Sequence, residues 1–125
     1  MGKWKVLLVD DELEFTAALA ERLGLRGMDA RTAASGEEAL RILESDPPHV
    51  VVSDVKMPGL GGIELLKRIQ ELYPGIQVIL LTGMSYAFDV EEAKRLGAFD
   101  CLIKPLNIGE LLTRINEAVA AVAEP

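Results

Sequence analysis

Short apolar runs alternate along this chain with stretches whose apolar residues recur at helical spacing. Trp4 to Val9, led by Val6-Leu7-Leu8-Val9, reads as a first buried strand, and Asp10-Asp11-Glu12 ends it. Phe15, Ala18, Leu19 and Leu23 then predict a helix that Gly24 and Gly27 stop. Met28 to Ala33 is a more polar strand, as a sheet edge would be. Ser35 stands three residues before Glu38 and ahead of Ala39, Leu40, Ile42 and Leu43, a capping-box start to a second helix that Asp46-Pro47-Pro48 ends. The β-branched run Val50-Val51-Val52 predicts a strand buried on both faces, with Asp54 at its carboxyl end and Pro58-Gly59 preventing its continuation. A third helix carries Ile63, Leu65, Leu66, Ile69 and Leu72. Ile76 to Leu81 is a fourth strand ending at Thr82-Gly83, and Phe88 to Leu96 a short, charged fourth helix. Ala98 to Ile103 is a fifth strand ending at Lys104-Pro105, and Asn107 with Glu110 caps a last helix whose apolar face runs from Ile108 to Val122.

Five strands alternating with five helices predict an α/β fold, a parallel sheet covered by helices on both faces with right-handed crossovers. Periodicity alone does not set the strand order. In the order 2-1-3-4-5 the switch point falls between the first and third strands, and Asp10, Asp11 and Asp54 would share one cleft.

Composition narrows the function classes. At 125 residues the chain has the size of one domain and can bury roughly two-thirds of its unfolded surface without staples. One cysteine, Cys101, and one histidine, His49, exclude an internal disulfide and a structural zinc site built from Cys and His. The first residues are too short for a signal segment, and no apolar run nears the roughly 18 residues of a membrane span, so a cytoplasmic protein with no membrane contact is expected. A net charge of −7 with no basic cluster argues against direct nucleic-acid contact by this domain. An acidic balance suits either a solvated surface or a cation site.

The candidate chemistry follows the strands. Asp10-Asp11, Asp54, Thr82 and Lys104 each come after an apolar run, so all gather at one edge of the sheet. Carboxylates brought together there repel one another unless a cation neutralises them, and Mg²⁺, which takes oxygen ligands from one or two carboxylates and keeps water and phosphate oxygens, suits Asp10, Asp11 and Asp54. A hydroxyl at Thr82 and an ammonium at Lys104 supply donors for an anion. Together they point to a phosphoryl group, with Asp54 as the acceptor that forms an acyl phosphate.

At these residues the chain resembles a response-regulator receiver domain of two-component signalling, most like receivers of the transcriptional-activator type. The pieces are Leu8-Val9-Asp10-Asp11-Glu12, Ser53-Asp54-Val55-Lys56-Met57-Pro58 with Gly62, Leu81-Thr82-Gly83, and Gly97-Ala98-Phe99-Asp100 with Lys104-Pro105. They lie 28 residues apart from Asp54 to Thr82 and 22 from Thr82 to Lys104. The resemblance implies a flavodoxin-like doubly wound (βα)5 fold with strand order 2-1-3-4-5 and residues 1–125 as a single receiver domain. It implies that Asp54 takes a phosphoryl group from a sensor histidine kinase or phosphotransfer protein, that Asp10, Asp11, Asp54 and the Lys56 backbone carbonyl hold Mg²⁺, and that Thr82 and Lys104 contact the phosphoryl oxygens. The face of the fourth helix, fifth strand and fifth helix would then change, to serve an output domain or a homodimer. A cis Lys104-Pro105 bond is implied as well. Such a protein is a switch that catalyses its own phosphorylation and dephosphorylation, rather than a metabolic enzyme.

Cys101 departs from the family pattern, since a Tyr or Phe that swings inward is usual there; the Thr82 loop is expected to respond still, with Tyr86 or Phe88 supplying aromatic bulk nearby. Leu106 and Gly61 are milder departures. A haloacid-dehalogenase-type hydrolase would open an Asp-x-Asp motif after the first strand, whereas here the lone Asp comes later. A pseudo-receiver would lack part of the five-residue set, and a flavin binder would need donors where the first loop has acids.

Overall fold

The structure is a computed structural model that describes residues 3–83 and 87–122, with side chains throughout except at residues 87–89. The elements run β1 (Lys5–Val9), α1 (Leu13–Leu25), β2 (Asp29–Ala33), α2 (Gly36–Ser45), β3 (Val50–Asp54), α3 (Gly62–Leu72), β4 (Gln77–Thr82), α4 (Ala87–Arg95), β5 (Asp100–Ile103) and α5 (Ile108–Ala120). All four strand pairings are parallel and the order is β2-β1-β3-β4-β5, the flavodoxin-like arrangement expected. The polar β2 lies at a sheet edge, as its composition predicts.

Alternation along the strands builds two cores, one on each face of the sheet. Val6, Leu8, Val50, Val52, Ile79, Leu81 and Leu102 pack with Leu19 and Leu23 of α1 and with Leu111, Leu112, Ile115, Ala118 and Val119 of α5. Leu7, Val9, Val51, Val78, Leu80 and Cys101 pack on the other face with Ala39 and Leu43 of α2, Leu65, Leu66 and Ile69 of α3 and Ala93 of α4. Each fully buried Leu contributes about 1.5–3 kcal/mol, so both faces are needed to hold the sheet. Cys101 is thus a core side chain, with its backbone N–H donating to Asp100 Oδ1 at 2.7 Å.

The helix ends follow their sequence signals with three differences. Ser35 Oγ accepts the Glu38 N–H at 3.1 Å, but the Glu38 carboxylate takes the Ala34 N–H at 2.6 Å, one residue before the position a capping box uses. Gly24 lies inside α1, and only Gly27 stops it: with φ 83° it lets Met28 N–H reach Leu23 O and its own N–H reach Gly24 O, the paired bonds of a left-handed helix end. The last helix ends at Ala120, short of Val122.

Candidate functional site

Strand register sets the layout. Val9 pairs with Ser53, Asp54 with Leu81, and Thr82 with Ile103. Asp10 and Asp54 therefore stand level, Thr82 one residue further along, and Lys104 one further again. Backbone bonds carry the ladder past the strand ends: Val55 N–H donates to Leu81 O at 2.8 Å and Lys104 N–H to Thr82 O at 2.7 Å. Within β3, Asp54 continues the row of Val50 and Val52 toward α1 and α5, while Thr82 continues that of Val78 and Leu80 toward the other helical layer.

The loop after β3 is held close. Gly62 opens α3 with its N–H donating to Val55 O at 2.9 Å, and a Cβ there would lie 2.3 Å from the Asp54 carbonyl oxygen, so no larger residue fits. On the far side, Glu37 of α2 accepts the Leu60 N–H at 3.1 Å. Lys56 lies in this tethered loop, between Asp54 and Gly62.

Lys104 joins the acids. Its Nζ lies 2.8 Å from Glu12 Oε1, 3.1 Å from Asp10 Oδ2 and 3.7 Å from Asp54 Oδ2, and 5.4 Å from the centre of the Phe15 ring. Asp10 is 1 % exposed and Asp54 8 %, so two carboxylates are buried beside a single ammonium. Burial pushes the Asp54 carboxyl above its ordinary range; the Lys104 charge pulls it back down and the Asp10 and Asp11 charges add to the rise. Burial works against the Lys104 charge too, yet the hydrogen bonds it donates to Glu12 and Asp10, together with the Asp54 and Asp10 charges, outweigh it and raise the lysine above its usual value. The Lys104-Pro105 bond is cis, as the resemblance implies. Beyond Lys104 opens a groove of about 280 Å³ between Glu12, Phe15, Pro105, Leu106 and Ile108.

Asp10, Glu12 and Asp54 offer carboxylate oxygens within 4.8 Å of one another. Oxygen-only donors, two of them buried with excess negative charge, fit a hard divalent cation. The structure thus brings together Asp10, Asp54 and Lys104, sets Thr82 at the adjacent strand end, and leaves Asp11 exposed beside them. Glu12 is the residue that sequence reasoning left out of the site. Its proximity to Lys104 depends on the chain returning from 92 residues away, which only the topology supplies. Tyr86 and the Phe88 side chain, the substitutes named for the aromatic that Cys101 replaces, lie outside the described residues.

A sheet in this order, with acids at its carboxyl edge and a lysine after its last strand, defines a class that the sequence comparisons identify. Residues 6–116 match the response regulator receiver domain, and the chain belongs to that family, the receivers of two-component regulatory systems. It is 42 % identical over 121 residues to the transcriptional regulatory protein CpxR homolog of Haemophilus influenzae, covering 97 % of this chain and 52 % of that protein. It is 35 % identical over 124 residues to the DNA-binding transcriptional regulator NtrC of Escherichia coli, covering 99 % of this chain and 26 % of that one. The chain therefore spans about half of the first relative and about a quarter of the second. Among solved structures, the receiver domain of the Francisella response regulator 1452 superposes with TM-score 0.89 at 31 % identity, covering 94 % of this chain and 98 % of that one. The BeF3-activated DrrB receiver domain gives 0.86 at 33 %, covering 95 % and 99 %. Among the described residues no helix is long and apolar enough to cross a membrane.

Proposed function

We propose that the chain is one receiver domain over residues 1–125 that takes a phosphoryl group on Asp54 in the presence of Mg²⁺, from a sensor histidine kinase or phosphotransfer protein. The observation that carries this reading is the burial of Asp54 level with Asp10 and 3.7 Å from the Lys104 ammonium, at the sheet edge where ligands bind.

The chemistry balances simply. A carboxylate oxygen of Asp54 attacks phosphorus, a P–O bond forms, and the P–N bond to the donor imidazole breaks with its electron pair leaving on the ring nitrogen. Asp10, Asp11, Asp54 and the Lys56 carbonyl are the groups assigned to Mg²⁺, which when bound neutralises phosphoryl oxygens during transfer. Lys104 and Thr82 donate to the remaining oxygens and hold the group in line. The groove beside Lys104 leaves a path for the donor. Hydrolysis of the acyl phosphate by the same set returns the resting state, so the domain acts as a switch and not as a metabolic enzyme.

The phosphorylated state biases the face of α4, β5 and α5 through the Thr82 segment. That face serves an output domain or a homodimer; the relatives named as transcriptional regulators support an output of that kind. No role in this reading requires the domain to touch nucleic acid or membrane, and the cytoplasm is where such a relay would work.

Incubation with Mg²⁺ and acetyl phosphate should add one phosphoryl group, read by intact mass, and Asp54→Asn should take none. Labelling of that variant at the wild-type rate would overturn the assignment.

A further inference from the structure

Glu12 stands at the N-cap of α1, in extended backbone, and its side chain makes no capping hydrogen bond to that helix. The carboxylate is committed elsewhere. Its backbone N–H donates to Asp10 Oδ1 at 2.9 Å, its Oε1 accepts from Lys104 Nζ at 2.8 Å, and Lys104 also donates to Asp10 Oδ2 at 3.1 Å, which closes a ring through three residues. The shortest contact of the ammonium is thus to a side chain that is 64 % exposed at the cleft mouth, while Asp54 is left at 3.7 Å, beyond hydrogen-bond distance.

We propose that Glu12 is a positioning residue: it draws the Lys104 ammonium toward the mouth of the cleft and off Asp54, leaving the buried carboxylates to a divalent cation. This rests on the phosphoacceptor reading above and adds to it a residue outside the six assigned there. The physical reason is competition. An ammonium and a metal ion cannot both neutralise Asp10 and Asp54 at close range, and whichever cation sits nearer gains most from their charge. With the Glu12 charge removed, Lys104 is left to the two buried carboxylates and settles on them, and the metal must displace a better-seated rival. Glu12 also gives the ammonium somewhere to stay when it moves away from Asp10. Asp10, by fixing the Glu12 backbone, sets the point from which that pull is exerted.

The test is a double-mutant cycle read by calorimetric Mg²⁺ binding, with no phosphodonor present. Glu12→Gln, which keeps shape and loses charge, should weaken Mg²⁺ binding roughly three- to tenfold, the scale of coupling between neighbouring charged groups. In a Lys104→Ala background the same change should do almost nothing, because Glu12 acts through the lysine. In metal-free protein the Lys104 ammonium nitrogen resonance should shift in Glu12→Gln. An equal loss of affinity in both backgrounds would make Glu12 a direct ligand or a general charge and would overturn the proposal, as would wild-type affinity in Glu12→Gln. The outcomes separate cleanly. If wild type binds Mg²⁺ and labels on Asp54 while Glu12→Gln binds Mg²⁺ unchanged, this inference alone falls. If wild type neither binds Mg²⁺ nor labels, the phosphoacceptor reading falls with it.

Discussion

Asp54 carries its charge where burial works against it. The folded chain holds a proton on this carboxyl more tightly than the unfolded chain does, whose ordinary value is 3.8, so stability falls as pH rises through the window above that value. At neutral pH the ionised side chain therefore costs stability, and the Lys104 charge offsets only part of the cost. In metal-free buffer at pH 7, Asp54→Asn should melt a few degrees above wild type, the shift that about 1 kcal/mol gives in a domain of this size. The gap should narrow as pH falls toward the ordinary carboxyl value of 3.8, since the folded wild type regains its proton above that value. Equal or lower melting of the variant by calorimetry would refute the electrostatic account of the site. Asp54 could be singled out from the residues alone because an acid that ends a β-branched run sits where burial penalises its charge. Glu12 could not, since an exposed Glu before a helix looks like any other first-turn acid until Lys104 is folded back beside it.

At the scale of elements, the approach of α3 to the end of β3 is the tightest joint near Asp54. A methyl at Gly62 meets the Asp54 carbonyl and the Val55 Cα, both backbone atoms that cannot step aside as a flexible side chain would. Gly62→Ala should destabilise the domain by about 1–3 kcal/mol, as overpacking does, and slow Asp54 labelling as the loop bearing Lys56 shifts. Labelling at the wild-type rate with unchanged denaturant midpoint would show that the joint yields. The element order, the edge position of β2 and the caps at Ser35 and Asn107 were legible because period, turn residues and caps agree locally. Where α1 ends was not legible from its glycines: Gly24 and Gly27 are the same residue type, and only the second has the positive φ that a helix stop requires. Likewise the Glu38 carboxylate bonds Ala34 rather than Ser35, a choice between two adjacent N–H groups that composition does not decide.

Across the whole molecule, charge chemistry also works at the sheet edge opposite the site. His49 Nδ1 accepts the Lys5 N–H at 2.9 Å, His49 N–H donates to Lys5 O at 2.9 Å, and the ring meets Trp4 edge-on at 4.8 Å. Burial and the nearby Lys5 charge lower the histidine below its usual 6.5. The unfolded chain thus takes up a proton first, and stability is lost as pH falls below about 6.5 toward the lowered value. Asp46, held below the usual carboxylate range by its hydrogen bond to Lys5, adds a loss at lower pH. His49→Asn keeps an acceptor in place without titrating, so its melting temperature should decline less than wild type between pH 7 and 5.5; parallel declines would exclude the histidine. Strand register, finally, constrains how such a domain can vary. Neighbouring strands lie about 4.8 Å apart, so the ladder acts as a ruler on which Asp10, Asp54, Thr82 and Lys104 are fixed marks. A point substitution erases a mark but cannot move it, whereas a one-residue slip within a strand would turn its mark to the opposite face. Spacing inside the strands is therefore rigid, whereas a change of length in a loop that carries no mark leaves the four in register.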